Sequence, residues 1–223
     1  DICLNGDIYD LPEFSSYQVD PRNWDPAGRI MFVRDEILKP LRNAAPEANM
    51  DLIEGNHEFR LAREGSNASA ALAVYEGVHG KDLRYMLGLD DFEINYISKA
   101  NAKAFTKGNI KSELSKSWKV YYGSVLAHHF PIGKTFGMPG WHGHHHKHIV
   151  YPQYSPIFGP YEWHQIGAGH VRSASYTNAD DRWQNGFMIA YVNPETKASI
   201  FEYIQVTDMA VVGGKFYYRN KDE

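Results

Sequence analysis

Four groups of polar residues could do chemistry together: Asp7 in Gly6-Asp7, Asn56 and His57 in Gly55-Asn56-His57-Glu58, the pair His128-His129, and His144 with His146 in Gly143-His144-His145-His146. Their donors are a carboxylate, a neutral amide oxygen and imidazole nitrogens. That mixture of hard and borderline ligands suits Mn²⁺, Fe, Zn²⁺, Co²⁺ or Ni²⁺ better than Ca²⁺ or a thiolate-seeking ion. One carboxylate can bridge two such ions roughly 3.5–4 Å apart, and the pair can clamp a phosphoryl group and acidify a shared water. Gly-His-x-His offers two imidazoles from one tight loop, able to reach different ions. His57 can carry a proton near neutral pH. Gly55 allows a sharp backbone turn where a Cβ would clash.

These residues need elements to carry them. Residues 2–5 read as the end of a buried strand and residues 50–53 as a second one. Between them, Ile30, Val33, Ile37, Leu38 and Leu41 mark one apolar helical face over 29–42, which Pro40 should bend or stop. Strand, helix and strand, each strand closing on a polar cluster, make a βαβ unit with a parallel pair. Ligands in such folds gather at the carboxyl ends of the strands. Helices are expected at 59–63, 68–76 and 82–87, a strand at 92–97, and a Lys-rich solvated excursion over 99–116. Arg60 and Arg63 read as a solvated helix face, with phosphate contact as the alternative. Strands are expected at 118–122 and 124–127, the second delivering His128-His129, and a Gly- and Pro-rich loop at 133–141 delivers the His cluster. Residues 151–161 are aromatic and Pro-rich, without helix. Residues 186–192 and 198–206 form a hairpin about Asn193-Pro194-Glu195-Thr196, and 216–218 an edge strand.

Taken in order, Gly6-Asp7, Gly55-Asn56-His57-Glu58, the 128–129 histidines and Gly143-His144-His145-His146 resemble the calcineurin-like metallophosphoesterase superfamily, whose pattern is D-x-H, G-D, G-N-H-[DE], H, G-H-x-H. Four of the five blocks are present, between residues 6 and 146. The resemblance implies an α/β fold, a four-layer αββα sandwich of two mixed β-sheets flanked by helices. It implies Asp7 as bridging ligand, with Asn56, His128 and His144 completing one metal site and His146 serving the other. His57 would stand over the phosphate and protonate or stabilise the leaving oxygen, with Glu58 orienting it. Direct succession to the strand favours His128 for the fourth block; His-x-Pro spacing favours His129. The implied activity is hydrolysis of phosphomono- or diesters by metal-activated hydroxide, with one or two divalent ions per chain, Mn the first choice. Nucleotides and nucleic acids are among the candidate substrates. The D-x-H block is absent, and the chain opens at Asp1 close to a strand, so truncation at the amino terminus is expected. The alternative is a degenerate scaffold of the same fold used for protein binding.

Bulk properties narrow the classes. The chain has 223 residues, 43% hydrophobic and 14% aromatic, enough for a sizeable core and against disorder. It is expected to form one domain over 1–223. The formal net charge of −4 comes without a basic stripe, which argues against tight duplex binding. The single cysteine, Cys3, excludes an internal disulfide. No apolar run approaches the roughly 20 residues of a membrane span. A cytoplasmic location and no membrane partner are expected.

Overall fold

Met50, Asp51, Leu52 and Ile53 are buried at every position. That is the pattern of a strand paired on both sides and covered on both faces. In the computed structural model, which describes residues 1–12, 20, 22, 24–64, 83–98, 117–170 and 182–219, this strand is β2. It lies between β1 (Ile2–Leu4) and β3 (Ile94–Ile97), and both pairings are parallel. Asp51 faces away from the apolar side, and its carboxylate accepts from Asn95 Nδ2 of the register-matched position at 2.9 Å.

The chain divides into two compact units, Asp1–Ser117 and Trp118–Glu223. In the first, the expected β-helix-β unit is present. Asp25 caps α1 (Pro26–Phe32) by accepting from Gly28 N at 2.9 Å, and Pro26 occupies the first turn, where its missing N–H costs nothing. The helical run does not stop at Pro40. It widens into a π-helical turn over Val33–Leu38 and continues as α2 (Lys39–Ala44). A π turn changes the ladder ahead of a residue that cannot donate, which lets the helix pass the proline. Arg42 then ties the end of α2 to the sheet, donating to Phe92 O at 2.8 Å and Ala48 O at 2.9 Å. Leu38, Leu52, Leu87 and Leu89 are fully buried in one apolar cluster, each worth about 1.5–3 kcal/mol relative to exposure. α3 (Asn56–Glu64) follows β2, and α4 (Leu83–Met86) is a single turn. The helix expected at 68–76 and the excursion at 99–116 lie outside the described residues.

The second unit is built on a mixed five-stranded sheet. β4 (Trp118–Tyr121) and β5 (Val125–His128) pair antiparallel, β6 (Gly140–His142) adds parallel to β5, and β8 (Gly159–Gln165) parallel to β6; β7 (Ile149–Ser155) closes the edge antiparallel to β8. Two hairpins follow, β9 (Gly186–Val192) with β10 (Ser199–Gln205), and β11 (Met209–Val212) with β12 (Lys215–Tyr218). One sequence expectation gives way here. Residues 133–141 are not all loop: a 3-10 turn fills Pro131–Phe136, and Gly140 begins β6. The aromatic, Pro-rich stretch is the β7–β8 hairpin. Mixed α/β content is borne out, with more strand than helix among the described residues.

Candidate metal and acid-base site

Glu58 organises the first unit's polar cluster. Its buried carboxylate accepts from three backbone amides: Asp7 N at 2.8 Å and Gly55 N at 2.9 Å on Oε2, and Tyr9 N at 3.1 Å on Oε1. The loop after β1 is thereby fastened to the loop after β2. Asp7 answers by accepting the His57 N–H on Oδ1 at 2.9 Å, which also satisfies an amide at the start of α3. Gly55 is required by this closeness. A Cβ there would stand 2.3 Å from Asp7 Oδ1 and 2.5 Å from Asp7 N. Asp7 itself holds a positive φ of 55°, a conformation that costs energy outside glycine and collects at functional sites. Asn56 is the first residue of α3 and partly buried.

His57 is oriented by a residue that motif reading missed. Its Nδ1 lies 2.9 Å from Asp10 Oδ1, and its Nε2 lies 3.8 Å from Asp7 Oδ2. Arg60 Nη1 reaches the same Asp10 oxygen at 3.1 Å, so it braces Asp10 and is not a solvated face. The orienting role expected of Glu58 thus falls to Asp10, while Glu58 holds backbone. Burial alone would lower the basicity of His57. The Asp10 hydrogen bond and the Asp7 charge outweigh it and hold His57 above the usual histidine value. Burial in turn works against ionised Asp10, but the His57 hydrogen bond and charge keep its carboxyl below the ordinary range. Sequence offered one hint, three residues from Asp7 in the same loop. Arg63's side chain lies outside the described residues.

In the second unit, strand geometry separates the two adjacent histidines. Neighbouring residues on a strand point to opposite faces. His128, at the end of β5, is in register with His142 on β6, which is in register with Gln165 on β8. His128 is fully buried, its Nδ1 accepts the Phe130 N–H at 2.7 Å, and its ring packs on Phe130 and Phe136. His129 goes the other way. Its ring meets that of His144 edge-on at 5.4 Å, and its carbonyl accepts the Gly143 N–H at 3.1 Å. The structure therefore groups His129, not His128, with His144. His142, surplus in the motif, is a core residue: its Nδ1 accepts the Trp163 indole N–H at 2.7 Å, and burial pushes it down to about 3.

His144 and His146 both hold positive φ, 71° and 56°. The alternation of the tight loop sends them to different neighbours. His146 Nδ1 is 3.3 Å from Nε2 of His170, and Trp183 packs edge-on against both rings. Neither His170 nor Trp183 belongs to a motif. The donors in each unit, a carboxylate beside an amide and imidazoles on a tight loop, with positive-φ backbone at Asp7, His144 and His146, fit a divalent transition ion. No protein-family model, no curated protein and no solved structure matches the chain.

Proposed function

We propose that the chain is a metal-dependent phosphoesterase that hydrolyses phosphomonoesters or phosphodiesters, its ions held by Asp7, Asn56, His129, His144 and His146. The observation that carries this reading is the fastening of Gly6-Asp7 to Gly55-Asn56-His57 through Glu58. It sets a carboxylate, an amide and an acid-base imidazole together beyond the carboxyl ends of two parallel strands, where α/β folds bind ligands. The contact with His144 supports His129 as the fourth-block ligand, and His128 packs the site from the other face.

When bound, the ions neutralise phosphoryl charge and activate water. The protein's own part is positioning and proton supply. Asp10 occupies His57 Nδ1 and leaves Nε2 as the working atom. With its basicity raised, His57 keeps a proton there and delivers it to the leaving oxygen. The reading carries with it the four-layer αββα arrangement and Mn²⁺ as the first ion to supply.

Nitrophenyl phosphodiester and monoester hydrolysis with added Mn²⁺ tests the proposal. Turnover should appear, vanish with a chelator and return with Mn²⁺. Failure to hydrolyse either ester with Mn²⁺, Co²⁺, Zn²⁺ or Ni²⁺ would contradict it.

A further inference from the structure

Three rings outside the strand core stand at mutual right angles. His146 and His170 are 4.7 Å apart at 77°, His146 and Trp183 4.4 Å at 87°, and His170 and Trp183 4.9 Å at 81°. The indole supplies an apolar wall on which both imidazoles rest by their edges. Within this frame the polar contact between the histidines runs from His146 Nδ1 to His170 Nε2 at 3.3 Å. Two neutral imidazoles can make that contact only if one donates and the other accepts. The contact therefore couples the tautomers of the two rings.

We propose that His170 is a positioning residue that fixes His146 as a metal ligand, a step that rests on the reading of His146 given above. His170 Nε2 accepts the proton of His146 Nδ1, and His170 carries its own proton on Nδ1. In that tautomer His146 Nε2 carries no proton, and it is the atom that would bind a cation. A ligating histidine commonly donates its other ring N–H to an outer partner, which locks the ring and raises its basicity, and removing that partner typically costs 10–100-fold in metal affinity. The left-handed backbone at His146 adds a reason for the brace, because a strained φ persists only where the surroundings hold it. The Gln184 N–H donates to His146 O at 2.8 Å and Trp183 precedes it, so the segment that carries the indole also holds the loop's backbone.

Two variants separate the hydrogen bond from packing. His170→Phe keeps a flat ring against Trp183 but accepts nothing. His170→Gln restores an acceptor. Co²⁺ binding to the full chain, followed by calorimetry and by the visible Co²⁺ bands, should show one ion weakened 10–100-fold in His170→Phe and recovered to within a few-fold in His170→Gln. In the metal-free protein, long-range ¹H–¹⁵N spectra should show His146 protonated on Nδ1, with the proton moving to Nε2 in His170→Phe. Unchanged Co²⁺ affinity and tautomer in His170→Phe, with affinity lost in His146→Ala, would overturn the role of His170 and leave His146 a ligand. Equal Co²⁺ binding by wild type and His146→Ala would overturn both.

Discussion

His57 and Glu58 are adjacent in sequence and do unrelated work, and substitutions should separate them. His57→Ala should lower kcat by roughly 10²–10⁴, the usual worth of a positioned acid, with metal content unchanged. Loss of metal along with activity would instead make His57 a structural residue. Glu58→Gln removes charge from a buried acceptor of three backbone amides. It should cost on the order of 3 kcal/mol in denaturant unfolding, since bonds to a charged group are worth about 1.5–3 kcal/mol each and one or two would survive. A change under about 0.5 kcal/mol would mean the two loops hold without it. At this scale the motif residues were legible because Asn-His after a glycine at a strand end serves no core. Asp10, Arg60 and His170 were not. Each acts through a partner distant in sequence or outside any fixed spacing, and only folding brings them together.

The strands and the first helix were read from apolar runs and periodicity, because burial on one or both faces leaves that trace. Several elements escaped. β7 is exposed at five of its seven positions, so its alternation is faint, and Pro152 speaks against a strand although an edge position tolerates it. The π turn before Pro40 has no composition signal at all. β6 was hidden in a Gly-rich run, and Gly140 shows why: a Cβ there would meet Leu126 O at 1.9 Å, so glycine is what lets β6 pair closely with β5. The buried end of β6 also makes a pH prediction. Burial holds His142 neutral down to about 3, while the unfolded chain takes up a proton near 6.5. Across that window the unfolded state binds more protons, so stability rises with pH and reaches its full value above about 6.5. Burial depresses His148 and His164 in the same direction. The melting temperature should fall as pH drops from 7 to 4, and His142→Gln should flatten part of that fall. A wild-type profile level over this range would contradict the buried neutral histidine.

For the molecule as a whole, the net charge of −4 means that, on the proposed reading, bound cations and not the protein surface would attract an anionic ester. Activity should therefore follow metal occupancy more steeply than ionic strength. Among the described residues no helix is long and apolar enough to cross a membrane. The βαβ unit, the parallel pairing of β1 with β2 and the β9–β10 hairpin were legible from sequence; the order β4-β5-β6-β8-β7 was not, because β6 and β8 pair across an intervening hairpin strand. The central proposal is that Asp7 and His144 are both ligands of a divalent ion. Metal content of the Mn²⁺-saturated protein, measured after excess ion is removed, tests it on wild type, Asp7→Ala and His144→Ala. One or two ions are expected in wild type and a lost ion in each variant. Wild-type content retained by either variant would contradict the proposal.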